Sequence, residues 1–139
     1  MTSSSNLDLV RSIVAYWERG DFSRADWADP EIDYVFPDGL LPGSWTGLEE
    51  LKSGFRDWLA VWEGARYEAT AFRELDPDSV LVLARYRGRG KTSGLEMEQL
   101  GHLASVFHLH GGKVTRLIVY LKAENALADL GLTPEDITQ

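Results

Sequence analysis

The sequence predicts an α+β fold in which N-terminal helices pack on a strongly curved antiparallel sheet. Amphipathic helices come first and a succession of strands follows, an order typical of α+β domains rather than of alternating βαβ units. The C-terminal third predicts two long strands, over residues 96–110 and 113–122, joined by a tight turn at Gly111-Gly112. Glycines recur among the strands, where they permit bulges and bends. A bent sheet wrapped over helices is expected to form a cone with one open mouth.

The first helix is predicted from a capping box at Ser5 and from apolar residues at helical spacing. Its apolar stripe contains Leu7, Val10, Val14 and Trp17. Gly20 is the expected stop, and a second, short helix is expected over residues 21–28 before Asp29-Pro30. Residues 1–5 are expected to be a loose end of a single domain that spans residues 1–139.

The strongest helical pattern follows a capping box at Thr46 and is expected to end at Gly64. Its apolar stripe consists of Leu48, Leu51, Phe55, Trp58 and Trp62. Shorter strands are expected at residues 31–36, 65–74 and 79–88, and a last helix ends at Gly131-Leu132. Residues 37–46 predict a Pro- and Gly-rich loop that is suited to cover a pocket.

Composition limits the function classes. The chain has 139 residues, no cysteine and a net charge of −8. The charge argues against nucleic-acid binding, which depends on Lys and Arg contacts to phosphates. No apolar run approaches the roughly 20 residues that a membrane span needs, and no signal peptide is evident, so a cytoplasmic location is expected. Five Trp, five Tyr and five Phe indicate either an aromatic core or a cavity lined with rings.

Four stretches resemble the NTF2-like superfamily and, within it, the SnoaL-like proteins. They are AYWERGDF at 15–22, ADPEIDYVFP at 28–37, WTGLEELKSGFRDWL at 45–59 and GGKVTRLIVYLKAENALADLGL at 111–132. The resemblance implies a cystatin-like cone with one pocket and a homodimer formed through the outer sheet face, with Ile118, Tyr120 and Val106 in reach. Members include ketosteroid isomerases, polyketide cyclases, epoxide hydrolases and dehydratases, so the site must decide the activity.

Resemblance to ketosteroid isomerase-like members implies an oxyanion site and a proton-moving acid. Tyr16 matches the tyrosine on the first helix that binds the oxyanion. The late-strand acid of these members falls on Ser105, and so does the aspartate of the SnoaL-type cyclases. The first-strand acid falls on Tyr34 or Phe36. Asp33 and Asp38 are near that position but displaced, and the Asp-Arg-Asp set of epoxide hydrolases has no match.

The predicted strand 96–110 has two faces with different side chains. The polar face carries Glu96, Glu98, His102, His108 and His110, and the more apolar face, which includes Ser105 and Phe107, should face the core. A bulge at Gly101 would turn Glu98 or His102 inward, where a buried Glu would have a raised pKa and could act as a general base.

Several motifs have alternative interpretations. Tyr16 either donates to an oxyanion or anchors its ring in the core. His108 and His110 lack an evident third ligand, so no metal is expected, and no cofactor is expected. Arg85, Arg87, Arg89 and Lys91 predict either an anion clamp or a solvated hairpin end paired with neighbouring acids.

These observations predict a protein that binds a small apolar or carbonyl-containing molecule. The expected pocket residues are Tyr34, Phe36, Trp45, Trp58, Trp62, Ser105, Phe107 and Tyr120. Isomerase, cyclase or hydratase chemistry would use Tyr16 with Glu98, His102 or Asp33. The alternatives are a binding module without turnover and a purely structural dimer with a filled cone.

Overall fold

The computed structural model describes residues 2–38, 43–97 and 101–133, with side chains from Asn6 onward. The helices are α1 (Thr2–Glu18), α2 (Leu48–Val61) and α3 (Ala123–Leu130). The strands are β1 (Ala28–Phe36), β2 (Gly43–Thr46), β3 (Trp62–Asp76), β4 (Ser79–Gly90), β5 (Leu103–His110) and β6 (Lys113–Tyr120). Helices packed on one sheet confirm the predicted α+β class.

The strands form a six-stranded sheet in the order β2-β1-β6-β5-β4-β3. Neighbours are antiparallel except β1 and β6, which run parallel with Tyr34 opposite Leu117 and Val35 opposite Ile118. The sheet is therefore mixed, and the expectation of a wholly antiparallel sheet was wrong. A hairpin forces its two strands to be antiparallel, whereas β1 and β6 are distant in the chain and free of that constraint.

Helices α1 and α2 lie on one face of the sheet, here called the inner face. Val10, Val14 and Trp17 of α1 and Leu51 of α2 are at most 5% exposed. They pack against inner-facing strand residues in the main core cluster, among them Tyr34, Val80, Val82, Phe107 and Leu117. The predicted helical stripes therefore build the main core.

Helix α3 packs against the opposite, outer face of the sheet. Ala126 and Leu127 form a second cluster there with strand residues that include Val106 and Tyr120. The Tyr120 hydroxyl donates to Asp129 Oδ2 at 2.9 Å. Burial, together with this carboxylate, raises the pKa of Tyr120 to about 12. Helix α3 therefore covers part of the surface that the sequence offered for dimer contacts.

Glycines occupy two places in the sheet where the backbone bends or turns sharply. Gly88 has φ 141°, and a Cβ there would lie 3.1 Å from both Ala65 Cα and Glu63 O. The pairing of β3 with β4 also shifts register between Glu63 and Arg66, so the strands bend together at a point where only glycine fits. Gly111 and Gly112, at φ 59° and 79°, form the predicted tight turn between β5 and β6.

The short helix expected over residues 21–28 is absent from the structure. Asp21 Oδ1 accepts hydrogen bonds from the Ser23 backbone N–H at 3.1 Å and from its hydroxyl at 2.6 Å. Such local side-chain bonds compete with helix formation. The segment is irregular, and β1 begins already at Ala28. At the N-terminus, α1 begins at Thr2, ahead of the expected cap at Ser5.

The bounds of α2 also differ from the prediction. The helix ends at Val61, and Trp62 begins β3 with extended backbone angles. Thr46 donates to Asp33 Oδ1 at 2.9 Å instead of capping the helix, and the cap residue is Gly47. Trp62 therefore belongs to the sheet, consistent with the preference of aromatic residues for strands.

The predicted strand over residues 96–110 is shorter in the structure, where β5 begins at Leu103. Glu96 pairs with Arg89 in an isolated bridge, and their side chains lie 3.0 Å apart. Arg85 and Arg87 contact Glu68 at 2.7 and 3.1 Å. This end of the β3–β4 hairpin is thus a solvated set of ion pairs, as one of the two interpretations predicted.

Candidate functional site

A cavity of about 790 Å³ lies between the inner face of the sheet and helices α1 and α2. Its volume falls within the range of roughly 300–1,000 Å³ that is usual for small-molecule pockets. It reaches the surface beside Trp45 and Leu121, which are 40% and 45% exposed. The aromatic residues lining it are Trp17, Phe22, Tyr34, Phe36, Trp45, Phe55, Trp58, Trp62 and Tyr86.

The rings of the cavity wall pack against one another in edge-to-face and tilted contacts. Tyr34 and Phe36 have ring centroids 4.8 Å apart, and Phe36 continues to Trp45 at 5.9 Å. On the other side, Trp58 of α2 lies 4.6 Å from Tyr86 of β4. Aromatic pairs at these separations stabilise each other beyond their buried area. The wall is therefore a set of mutually packed, largely apolar rings.

Tyr34 and Tyr86 bring hydroxyl groups to this apolar wall. Neither hydroxyl makes a hydrogen bond to any residue that the structure describes. Burial raises the pKa of Tyr34, and the neighbouring Tyr86 raises it further. Burial likewise raises the pKa of Tyr86. Both phenols are therefore neutral near pH 7, and each can donate a hydrogen bond into the cavity.

Ser105 of β5 is the third neutral hydroxyl of the cavity. It is 2% exposed and accepts a long hydrogen bond of 3.4 Å from the Tyr67 hydroxyl. Burial raises the pKa of Tyr67, although the bond to Ser105 opposes the shift. Ser105 therefore keeps its own proton to donate toward the cavity.

Asp38 is a carboxylate at the edge of the cavity. It accepts hydrogen bonds from the backbone N–H groups of Leu121 at 2.7 Å and Lys122 at 3.2 Å, and from Asn125 Nδ2 at 2.8 Å. Burial opposes ionisation, but these bonds lower the pKa of Asp38 below its usual value. The carboxylate oxygens of Asp38 are occupied by donors at the start of α3. Asp38 therefore anchors α3 and is a weak base.

Comparison with known proteins places this architecture in a family. The sequence matches the SnoaL-like domain family over residues 10–117. The chain belongs to the SnoaL-like family. Uncharacterised proteins of Mycobacterium bovis (Mb0035) and Mycobacterium tuberculosis (Rv0034) are each 29% identical to it over 119 residues, covering 84% of this chain and 88% of the relative.

Solved structures show the same fold. An NTF2-like protein of unknown function from Burkholderia pseudomallei aligns with TM-score 0.72 and 18% identity, over 89% of this chain and 95% of its own. TerC, solved in co-crystals with polyporic acid, aligns with TM-score 0.66 and 22% identity, over 91% of this chain and 97% of its own. The predicted NTF2-like architecture of this SnoaL-like chain is confirmed.

Three of the predicted catalytic residues of the SnoaL-like domain, Tyr16, Asp33 and His102, do not line the cavity. Tyr16 lies outside the cavity lining, with the guanidinium groups of Arg19 and Arg24 at 4.9 and 4.5 Å from its ring. Asp33 is exposed and accepts from Thr46. His102 is exposed and lies outside the lining, although its neighbour Gly101 is part of it. Glu98 lies outside the described residues.

Most predicted pocket residues of the SnoaL-like domain do line the cavity, namely Tyr34, Phe36, Trp45, Trp58, Trp62 and Ser105. Phe107 is fully buried behind that wall, 5.9 Å from Trp17. Tyr120 lies on the outer face, because it follows Val119, an inner-facing residue, in β6. Alternation of side chains along a strand separates the two faces in this way.

Tyr86 is one of the cavity-lining residues that sequence reasoning missed, together with Trp17, Phe22 and Phe55. It stands between Arg85 and Arg87, and the arginines drew attention to the solvated face of β4. The two-residue period of a strand already implied that Tyr86 points to the opposite face, with Val82 and Ala84. This alternation of side chains was the signal by which the sequence could have predicted Tyr86 on the inner face.

The described residues offer no metal site. No three His, Cys, Asp or Glu side chains converge within residues 2–38, 43–97 and 101–133. His108 is half-buried on the outer face, where burial lowers its pKa, Arg116 lowers it further and Asp76 opposes the shift. Over the same ranges, no helix has the length and apolar character needed to cross a bilayer.

Proposed function

We propose that this SnoaL-like domain binds a small, mostly apolar molecule that carries an oxygen acceptor such as a carbonyl. The observation that carries the proposal is the open, ring-lined cavity of about 790 Å³. Protein interiors are close-packed, and voids much larger than a water molecule are few. Ring faces that border such a void lack the dispersion contacts that a flat ligand would supply.

The hydroxyls of Tyr34 and Tyr86 support the proposal that the ligand carries an oxygen acceptor. A ligand oxygen at this wall would give the two hydroxyls a hydrogen-bond partner that the described residues do not supply. Both phenols are neutral because burial raises their pKa. A neutral phenol can donate a hydrogen bond, and a carbonyl oxygen can only accept one, so the two groups are complementary.

Ligand binding in the cavity is tested by placing a larger side chain in its wall. Val119 lines the cavity and is 7% exposed, whereas Val35 lies on the outer face opposite Ile118. We expect 1-tetralone, a bicyclic ketone, to raise the melting temperature of the wild type and of Val35→Phe. The increase should be smaller for Val119→Phe, because the larger ring takes up part of the cavity. Equal shifts in all three proteins would contradict binding in the cavity.

Acid–base turnover is the second candidate, because a carboxylate, Asp38, borders the same cavity, although the hydrogen bonds that it accepts make it a weak base. A base within reach of a bound ketone would accelerate exchange of its α-protons with solvent. Proton NMR of 1-tetralone in D₂O measures this exchange. Acceleration that disappears in Asp38→Asn would support catalysis; exchange at the buffer rate supports binding without turnover.

We also propose that two copies pair through the outer face. Of the residues expected there, Val106 and Tyr120 are buried beneath α3, while Ile118 remains partly exposed. Leu83 and Val35 share this partly exposed apolar surface. Such a patch, flanked by charged residues, is a common feature of protein interfaces.

A further inference from the structure

A second cavity of about 380 Å³ lies on the other side of α2, against the segment that connects α1 to β1. Its floor is apolar and includes Leu51, which is fully buried, and Phe22, which is 7% exposed. Phe55 and Leu59 complete this floor from α2. The cavity is therefore a surface hollow with a hydrophobic base.

Two cations, Lys52 and Arg56, stand on the wall of the second cavity. They are one helical turn apart on α2, so their side chains emerge on the same side of the helix. Both are exposed, and neither forms an ion pair with a residue that the structure describes. Two exposed cations therefore stand beside one hollow in a chain whose net charge is −8.

The carboxylate on the same wall, Asp21, is already engaged. Its Oδ1 accepts from the Ser23 hydroxyl and N–H at 2.6 and 3.1 Å, and its Oδ2 lies 3.9 Å from Arg24 Nε. These bonds lower the pKa of Asp21, with smaller contributions from nearby arginines. Ser23 and Arg24 thus balance the negative charge of the Asp21 carboxylate. The positive charges of Lys52 and Arg56 remain available to a ligand.

We propose that the second cavity binds an amphipathic organic carboxylate. The carboxylate meets Lys52 and Arg56, and the apolar body lies on Phe22, Leu51 and Phe55. Guanidinium and ammonium groups bind carboxylates through charge-assisted hydrogen bonds. An inorganic anion would leave the apolar floor uncovered, and a neutral hydrocarbon would leave both cations unpaired.

The second cavity shares a wall with the first. Phe22 and Phe55 line both cavities, with ring centroids 6.3 Å apart. To keep the two sites apart, the titrations are done in the Val119→Phe variant, which makes the large cavity smaller, and amide chemical shifts show which cavity the probe occupies. The result then does not depend on whether the large cavity binds a ketone.

The test compares 2-naphthoate with the neutral 2-naphthalenemethanol by calorimetry at low ionic strength. We expect the anion to bind about tenfold more tightly, as for a partly exposed charge-assisted contact, and its affinity to fall as salt rises. The double substitution Lys52→Gln/Arg56→Gln should abolish the difference. Lys91→Gln/Arg116→Gln makes the same change of net charge elsewhere and should preserve it.

Amide chemical shifts locate the bound anion. Perturbations centred on residues 20–25 and 51–59 support the second cavity. Perturbations elsewhere, equal affinity of the acid and the alcohol, or an unchanged preference in Lys52→Gln/Arg56→Gln would each overturn the proposal. A circular dichroism spectrum that matches the parent protein shows that the double variant remains folded.

Discussion

Tyr34 and Tyr86 differ from Tyr67 in one respect that can be tested residue by residue. Tyr34 and Tyr67 are buried and Tyr86 is partly buried, but only Tyr67 has a hydrogen-bond partner among the described residues, Ser105. A hydroxyl without a protein partner contributes little to folding and is available to a ligand.

Tyr86→Phe is expected to weaken binding of 1-tetralone about tenfold, the equivalent of one lost hydrogen bond of roughly 1–1.5 kcal/mol. Binding of tetralin, the hydrocarbon of the same shape, should not change. Calorimetric titration of both compounds measures the two effects. Equal losses for ketone and hydrocarbon would mean that the ring, rather than the hydroxyl, matters.

The matched control is Tyr67→Phe, which removes a hydroxyl that the protein itself uses. It should lower the free energy of unfolding by about 1 kcal/mol, because Ser105 loses its partner. Tyr86→Phe should leave that free energy within about 0.5 kcal/mol of wild type. Urea titration distinguishes the two variants.

Asp38→Asn tests the anchoring of α3. The pKa of Asp38 is lowered in the folded protein, so its contribution is present above the unfolded pKa of roughly 4 and is lost as pH falls through the folded value. We expect the variant to be less stable by about 1 kcal/mol at pH 7. The deficit should shrink below about pH 4. A deficit that is constant from pH 7 to pH 3 would contradict this role.

At the scale of elements, α2 carries a glycine that faces the cavity. A Cβ on Gly54 would lie 3.3 Å from Tyr34 Cε2. Alanine is favoured over glycine within a helix by roughly 1 kcal/mol. The Tyr34 ring borders the open cavity and can shift away from the new methyl group. The gain in helix propensity should therefore exceed the cost of this close contact.

Gly54→Ala is therefore expected to raise the free energy of unfolding by up to about 1 kcal/mol. It should also weaken binding of 1-tetralone, because the displaced ring takes up cavity volume. Gly64→Ala is the control: Gly64 has φ 68°, where alanine is strained, so stability should fall. A less stable Gly54→Ala protein would show that Tyr34 is fixed.

Elements with a clear hydrophobic period or a local turn signal were predicted correctly from the sequence. The stripes of α1 and α2 and the Gly111-Gly112 turn were readable because local sequence determines them. The end of α2 at Val61 and the irregular segment near Asp21 were not, because strand pairing and side-chain bonds decide them. Tyr16 illustrates the same limit at the site: its place outside the cavity depends on tertiary packing.

At the scale of the whole molecule, the sheet separates two surfaces with different roles. The inner face, with α1 and α2, forms the cavity, and the outer face carries α3 and the partly exposed Ile118. If two copies pair through the outer face, Ile118→Arg should shift the molar mass in solution from dimer to monomer. Light scattering after gel filtration measures this, with Lys91→Glu as a surface control. A monomeric wild type would contradict the pairing.

The most direct test of the cavity is the position of a bound probe. Intermolecular nuclear Overhauser effects between 1-tetralone and the rings of Trp58 and Tyr86 are expected in the wild type and should be weaker in Val119→Phe at the same ligand concentration. Contacts confined to outer-face residues such as Ile118, or equal contacts in both proteins, would contradict a ligand-binding cavity beneath the helices.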